Sequence, residues 1–218
     1  MTKNSVVLVE GMSARRTGRV VFEDIDLEVK CGERVLLSGE NGAGKSTLLE
    51  AILGILPSDA RRREWLGVSG TPQAQRALRT REAVYLPQYG NLFQSLTLLE
   101  NITVGLPSQH RPSRASVQKL ARRFDGLEEA LDRKPGKTSV GQRQLAACLR
   151  ASLGTPRLLV LDEPTAGVAE RLIPEVYDGL FERTTETAVL FTEQHVPFAQ
   201  RWATRTIFLS DTVRRSDA

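Results

Sequence analysis

The stretch GENGAGKST, residues 39–47, fits the phosphate-binding pattern G-x-x-x-x-G-K-[ST]. It stands between an apolar run at 34–38 that predicts a buried strand and a run at 47–53 that predicts a helix. In that context backbone N–H groups and the helix dipole face an anion, and the glycines let the backbone approach it closely. The pattern predicts that Lys45 reaches the outer phosphates and that Ser46 holds Mg²⁺, and it disfavours a glycine-rich turn without a ligand.

A second stretch, LLVLDEP at residues 158–164, places two carboxylates directly after an apolar run. The run predicts a central strand buried on both faces, and ligands of such sheets lie at the carboxyl ends of the strands. We therefore expect Asp162 to lie beside the phosphate loop and to orient Mg²⁺. Glu163 would polarise an attacking water as a general base. The alternative is that the two acids merely begin a loop.

A third stretch begins a predicted helix at residues 141–153. Ser139 and Gln142 have the S-x-x-Q spacing of a capping box. Together with Gly141 and the helix dipole they would also form a second anion site. The same residues can cap their own helix and bind an anion if that anion is supplied by another molecule.

Composition limits the class of protein. The 218 residues are 40% hydrophobic and 26% charged, which suits one domain with a sizeable core and perhaps two lobes. No apolar run approaches the roughly 18 residues that span a bilayer, and we expect no secretory signal. Cys31 and Cys148 are isolated, which favours a reducing cytosol. The net charge is +4, but the basic runs at 61–63 and 76–81 have no interleaved aromatic residues, so a solvated face is favoured over nucleic-acid binding.

Strands and helices alternate along most of the chain, which predicts a mostly parallel sheet covered on both faces. A helical block at about 91–137 interrupts that order and is predicted to be an inserted lobe. The predicted strands are 5–9, 20–29, 34–38, a weak strand at 65–68, 83–86, 157–161, 187–192 and 206–210. The predicted helices are 47–53, 97–104, 113–124, 127–133, 141–153, 169–183 and 196–202.

With these motifs in order, the chain resembles the nucleotide-binding subunits of ATP-binding cassette (ABC) transporters. Residues 39–47 match the Walker A loop, and 158–164 match Walker B. Residues 138–144 resemble the signature sequence. Gln88 matches the Q-loop glutamine, and His195 matches the switch histidine.

The resemblance implies an α/β fold of the P-loop NTPase class, the ABC ATPase fold. It has a mostly parallel core sheet, an N-terminal antiparallel β portion and an inserted helical subdomain. Residues 1–218 would form a single ABC ATPase domain. Within it, 1–88 and 138–218 would form a RecA-like core with the β subdomain, and 89–137 the helical subdomain.

The resemblance also implies a site for ATP and Mg²⁺. The catalytic residues would be Glu163, His195 and Gln88, and Mg²⁺ would be held by Ser46, Gln88 and Asp162. ATP would be bound by Asn41, Gly42, Ala43, Gly44, Lys45, Ser46, Thr47 and Arg16. Ser139, Gly141 and Gln142 would contact the ATP of a second subunit.

The partners implied are a second ABC ATPase subunit, identical or different, in a head-to-tail dimer, and transmembrane permease subunits. Residues 89–104 would receive a coupling helix, with Tyr89, Leu92 and Phe93 lining a groove or packing the lobe. The protein would be cytoplasmic, peripheral on the membrane, with no direct contact to nucleic acid.

The chain departs from the family pattern in three places. In the signature, Val140 replaces the first glycine and Thr138 the leucine. Arg16 stands where an aromatic residue usually stacks on adenine, and Ala169 replaces a loop aspartate. The chain most resembles the ATPases of branched-chain amino acid importers. The alternatives are a soluble ABC ATPase acting on nucleic acid or ribosomes, and a regulatory cassette that hydrolyses ATP weakly.

Overall fold

The computed structural model describes residues 4–69, 82–88, 92–106, 108, 111–154, 156–182, 186–194 and 196–209. The described residues form two compact units. The first lies within Met1–Val84, Pro156–Asp162 and Glu186–Ala218, and the second within Tyr85–Thr155 and Glu163–Thr185. The boundaries of the helical subdomain at 89 and 137 stay a prediction.

An antiparallel sheet opens the first unit. Strand β1 (Ser5–Arg16) pairs with β2 (Arg19–Lys30), and the two are joined at Thr17 and Gly18, which have φ of 51° and 79°. Left-handed residues at both positions suit a tight hairpin turn. The predicted strand at 5–9 is too short because a register irregularity between Val9 and Met12, around the left-handed Gly11, breaks the alternation of apolar residues.

Three short strands complete this sheet, which runs in the order β2-β1-β5-β6 with β4 also paired to β1. They are β4 (Ser58–Asp59), β5 (Arg62–Trp65) and β6 (Val68–Ser69). The strand predicted at 65–68 is wrong as a continuous element. Leu66 and Gly67 have φ of 49° and 74°, so they form the turn of a β5–β6 hairpin.

The second sheet has the order β10-β3-β9-β8-β7, and its β10–β3, β3–β9 and β9–β8 pairs are parallel. Its strands are β3 (Arg34–Ser38), β7 (Ala83–Leu86), β8 (Leu158–Asp162), β9 (Ala188–Thr192) and β10 (Arg205–Phe208). Every residue of β8 and β9 is buried, as expected for central strands covered on both faces. The first unit also holds α1 (Lys45–Ile52) and a short helix, α6 (Val196–Ala199).

The second unit is helical. Helix α2 (Leu98–Thr103) begins with a capping box of Thr97 and Glu100, and α3 (Arg114–Ala121) is capped by Ser113. Helix α4 (Val140–Leu153) is capped by Ser139 and packs against α2 and against α5 (Ile173–Phe181). Among the residues that the structure describes, no helix combines the length and apolar character that crossing a bilayer requires.

Two predicted helices are wrong in part. Within 127–133 only a 3₁₀ helix at Glu128–Ala130 forms, because so short a segment cannot offset the cost of α-helix nucleation. Within 169–183 a 3₁₀ helix, Glu170–Leu172, precedes α5, in which Pro174 is the second residue. Proline has no N–H and clashes with the carbonyl four residues earlier, so it is favoured in the first turn, and the α-helix begins at Ile173.

Candidate functional site

The phosphate-binding stretch at residues 39–47 comprises the loop 39–44, which joins β3 to α1 and is curved around left-handed glycines, and the first turn of α1. Gly42 and Gly44 have φ of 84° and 91°. The Lys45 ammonium donates to the carbonyl oxygens of Gly39 and Glu40 at 2.8 and 2.9 Å. The side chain is buried, 9% exposed, so its charge is directed into the loop rather than to solvent. This geometry confirms the strand–loop–helix order that the sequence predicts.

Close packing prevents larger residues at two of these glycines. A Cβ on Gly39 would lie 2.6 Å from the Leu209 carbonyl oxygen, and one on Gly44 would lie 2.7 Å from Cγ1 of Val21. Gly44 is also the N-cap of α1, where no side chain accepts a hydrogen bond from the first turn. The N–H groups of that turn are therefore left for an anion, which the helix dipole also favours.

The other loop residues assigned to ATP lie where the pattern places them. Asn41 and Gly42 are exposed, whereas Ala43 and Ser46 are half-buried. Thr47 is buried in the first turn of α1. The Ser46 hydroxyl and the backbone groups of this surface can thus face a ligand, whereas the Thr47 side chain is buried.

Arg16 ends β1 at the hairpin turn, opposite Arg19. Its guanidinium lies 3.7 Å from the carboxylate of Glu50 on α1, and 55% of the side chain is exposed. The contact brings Arg16 to the helix that follows the phosphate loop. Stacking of its planar guanidinium on adenine stays a prediction.

Asp162 is the last residue of β8 and is 3% exposed. Its Oδ1 accepts a hydrogen bond of 2.7 Å from the Thr192 hydroxyl, which stands opposite it in β9. Strand β9 lies between β8 and β3, so Asp162 ends at the same edge of the parallel sheet as the strand that leads into the phosphate loop. The sequence predicted that Asp162 lies at this edge, but it did not predict the hydrogen bond from Thr192.

In the second unit, Glu163 and Gln88 contact each other. The Gln88 amide Nε2 donates to Glu163 Oε2, and the glutamate is 9% exposed. Glu163 also has a φ of 49°, an uncommon conformation for a residue with a side chain. The next residue is anchored by α4, because the Pro164 carbonyl accepts from Gln144 Nε2 at 2.9 Å and from Cys148 Sγ at 3.3 Å.

The N-terminus of α4 forms the capping box that the S-x-x-Q spacing predicts. Ser139 Oγ accepts from the Gln142 N–H at 3.1 Å, and Gln142 Oε1 accepts from the Ser139 N–H at 3.0 Å. Gln142 Nε2 donates to the Gly126 carbonyl at 2.8 Å. The Gln142 amide is therefore engaged within its own chain in this conformation, and its contact with a second subunit's ATP stays a prediction.

Val140, the departure in the signature, is the first residue of α4 and is 58% exposed. A β-branched residue fits the helical backbone there, so the substitution imposes no left-handed strain. Ser139 is also exposed, and at Gly141 an added Cβ would lie 3.0 Å from the Gly167 carbonyl oxygen. The helix end is thus open to another molecule.

Two predicted site residues, His195 and Tyr89, lie outside the described residues, as does the basic run at 76–81.

The basic run at 61–63 is engaged within the chain. Arg61 forms salt bridges with Asp24 and Asp26, and Arg62 forms salt bridges with Glu10 and Glu64. Burial lowers the pKa of Arg63, which donates to Ser58. These contacts favour a structural role for the run.

The ABC transporter family profile matches residues 22–166, well over half of the chain. This chain belongs to the ABC transporter family. Like other such ATPases, this ABC protein binds ATP and hydrolyses it. The transport hypothesis is supported over action on nucleic acid or ribosomes.

Named relatives of this ABC protein are ATP-binding subunits of transport systems. The high-affinity branched-chain amino acid transport ATP-binding protein BraG of Pseudomonas aeruginosa is 31% identical over 87% of this chain and 82% of its own. The glutamate/aspartate import ATP-binding protein GltL of Escherichia coli K12 is 31% identical over 88% and 81%. A solved ATP-binding subunit of an ABC transporter has a TM-score of 0.76 at 27% identity, covering 93% of this chain and 85% of that one.

Proposed function

We propose that this chain is the ATP-hydrolysing subunit of an amino acid importer, acting on the cytoplasmic face of a membrane with permease subunits and a second ATPase subunit. The relatives that transport amino acids support the cargo class. The observation that carries the proposal is the buried Lys45 ammonium, held on two carbonyls of a glycine loop at the start of α1. That arrangement suits the phosphates of ATP.

The residues present fit a magnesium ion as well. Within the first unit Ser46 supplies a hydroxyl and Asp162 a carboxylate, and Mg²⁺ prefers such oxygen ligands. The amide oxygen of Gln88 is proposed as a further ligand. The Thr192 hydroxyl fixes the orientation of the Asp162 carboxylate. Bound Mg²⁺ would neutralise charge on the outer phosphates.

Glu163 is the proposed general base. Its carboxylate is buried and is oriented by a hydrogen bond from the Gln88 amide, which positions it to accept the proton of the attacking water. The hydrogen bonds from Gln144 and Cys148 to Pro164 hold the segment that carries it. His195 is proposed to contact the outer phosphate.

The second ATPase subunit would bind across the exposed end of α4. Ser139 and the N–H groups around Gly141 would then contact the outer phosphate of the partner's ATP. Phe93 is 56% exposed and held by Asn101, whose Oδ1 accepts from the Phe93 N–H at 2.7 Å. We propose that Phe93 contacts the permease, whereas Leu92 is buried, 9% exposed, and packs the lobe.

Steady-state ATP hydrolysis by Glu163→Gln tests this function. We expect turnover to fall by roughly 10²–10⁴-fold with nucleotide binding retained, because the amide cannot accept the proton. Glu129→Gln, an equal change at an exposed glutamate, is the control and should leave turnover unchanged. Equal turnover in wild type and Glu163→Gln would rule out Glu163 as the base.

A further inference from the structure

The β1–β2 hairpin lies against the phosphate-binding loop within the first unit. A Cβ added to Gly44, the N-cap of α1, would lie 2.7 Å from Cγ1 of Val21 in β2. At the turn of the same hairpin, the Arg16 guanidinium lies 3.7 Å from the carboxylate of Glu50. Glu50 is about 7.5 Å along the axis from the start of α1, at 1.5 Å per residue. The turn is therefore close enough to contact the base of a nucleotide whose phosphates lie on the loop.

Three arginines lie at this turn with their guanidinium donors available. Arg15, Arg16 and Arg19 are exposed, and Arg16 stands directly opposite Arg19 in the strand pairing. Within the described part of the chain, none of the three side chains makes a hydrogen bond. Their one salt bridge there, between Arg16 and Glu50, is longer than a hydrogen bond, so it leaves the N–H groups of Arg16 to a ligand.

The hairpin offers a base these donors and no ring on which to stack. Phe22 is the only aromatic residue between positions 13 and 23, and it is 2% exposed. A guanidinium donates hydrogen bonds and accepts none. One edge of guanine presents two acceptors, O6 and N7, whereas the same edge of adenine presents the N7 acceptor beside the N6 amine, a donor. A guanidinium that reads this edge therefore matches guanine and is opposed by adenine.

We propose that Arg16 selects the base of the bound nucleotide, and that this chain binds guanine nucleotides more tightly than adenine nucleotides. The Arg16 guanidinium donates to O6 and N7 of guanine, and Arg19 adds positive charge on the same face of the hairpin. ATP is still bound, because the contacts of the loop to phosphate do not depend on the base.

Hydrolysis of GTP is then a further activity of the same site. The water oxygen bonds to the γ-phosphorus as the bond from that phosphorus to the β–γ bridging oxygen breaks. Glu163 takes the water proton, and GDP and inorganic phosphate leave. This activity rests on the proposed function, whereas the base selectivity depends only on nucleotide binding at the loop.

Calorimetric titration of the full wild-type chain with ADP, GDP and inosine diphosphate tests the selectivity. Diphosphates lack the outer phosphate, so they are not substrates and do not join two subunits. We expect GDP and inosine diphosphate to bind at least about fivefold more tightly than ADP, because both carry O6 and N7. Equal affinities for the three, as stacking of the guanidinium would give, would overturn the proposal. Inosine diphosphate binding only as well as ADP would overturn it too, because the 2-amino group of guanine would then be the feature that is read.

Substitution of Arg16 tests which residue reads the base. Arg16→Gln leaves one amide donor and one acceptor, the pair that matches N6 and N7 of adenine, so this variant should bind ADP at least as tightly as GDP. Arg15→Gln is the matched control. Arg15 is the neighbouring exposed arginine, its side chain lies on the opposite face of β1, and its loss should leave the preference for GDP unchanged. The proposal would be overturned if Arg16→Gln weakened ADP and GDP equally, as loss of a phosphate contact would, or if both variants shifted the preference equally.

A second arm separates the further activity from the proposed function. Wild-type kcat/KM for GTP should exceed that for ATP by at least about fivefold through a lower KM with similar kcat, because the base contact is equal in the ground and transition states. Equal kcat/KM for the two nucleotides would overturn the preference for GTP as a substrate. If Glu163→Gln hydrolyses ATP as fast as wild type, the proposed function fails while the titration result still stands.

Discussion

At the scale of single residues, the Asp162 carboxylate depends on one hydroxyl from the neighbouring strand. Thr192→Val keeps the shape of the side chain but removes the hydrogen bond of 2.7 Å to a buried charge. We expect a loss of roughly 1.5–3 kcal/mol in the free energy of unfolding, measured by urea denaturation. We also expect the Mg²⁺ concentration that half-saturates ATP hydrolysis to rise, because the carboxylate loses its fixed orientation.

Thr187→Val is the matched control for that change. Thr187 is also a buried threonine, and its hydroxyl donates to the Pro156 carbonyl at 2.8 Å, away from any carboxylate. This variant should lose stability without changing the Mg²⁺ requirement. An unchanged Mg²⁺ requirement in Thr192→Val would show that the hydroxyl has no part in orienting Asp162.

The sequence predicted the residues whose roles depend on local pattern. Lys45 and the pair Asp162 and Glu163 are fixed by the strands that precede them, and the structure places them at loop and strand ends. Thr192 and Cys148 were not predicted as functional. Thr192 reaches Asp162 across 30 residues through strand register, and Cys148 reaches Pro164 through helix packing, neither of which a local pattern encodes.

At the scale of elements, two serine caps offer a paired test. Ser139 caps α4 and Ser113 caps α3 through the same kind of hydrogen bond to the first turn. Each serine-to-alanine change should cost about 1 kcal/mol in the free energy of unfolding. Only Ser139→Ala should also weaken ATP-dependent dimerisation in light scattering, measured with both changes made in the Glu163→Gln background because that variant retains the ATP that joins two subunits. Equal dimerisation of both variants would argue against a contact between Ser139 and a partner's ATP.

The cap of α2 should respond to pH. The pKa of Glu100 is lowered, chiefly because its carboxylate accepts one hydrogen bond from the Thr97 N–H and another from the Thr97 hydroxyl. Because the pKa is lowered in the folded state, the ionised Glu100 carboxylate stabilises the fold at pH values above the ordinary pKa of 4.5. That stabilisation is lost as the pH falls through the folded-state pKa.

Comparison of wild type with Glu100→Gln across a pH series measures this effect. The difference in unfolding free energy should be constant above pH 4.5 and should decline below it, because glutamine does not titrate. The Ser139 and Gln142 box of α4 has no ionisable member and should not contribute to the slope. A difference that stays constant down to about pH 2 would contradict the capping role of Glu100.

At the scale of the whole molecule, nucleotide should control association. Hydrolysis removes the ATP that joins two cassettes in the proposed dimer, so Glu163→Gln should accumulate dimers with ATP where wild type does not. Sedimentation velocity with ATP or ADP measures this. A monomer under both conditions, with ATP demonstrably bound, would contradict the head-to-tail arrangement for identical subunits and favour a different ATPase as partner.

The fold class followed from the alternation of elements, and the family match supports it. The predicted bounds of individual strands and helices were wrong where the backbone conformation of single residues interrupted an element that the apolar pattern predicts. Leu66 and Gly67 turn a predicted strand into a hairpin, and Pro174 divides a predicted helix. Such outcomes depend on left-handed residues and a missing N–H rather than on apolar periodicity.

The most direct test of the central claim is the nucleotide affinity of Lys45→Ala, measured by equilibrium titration with ATP beside Lys119→Ala, the same change at an exposed lysine of α3. Loss of the buried ammonium should weaken ATP binding by at least about tenfold, since charge-assisted contacts to phosphate are among the strong hydrogen bonds, and Lys119→Ala should bind like wild type. Equal affinity of Lys45→Ala and wild type for ATP would contradict the claim that residues 39–47 hold its phosphates.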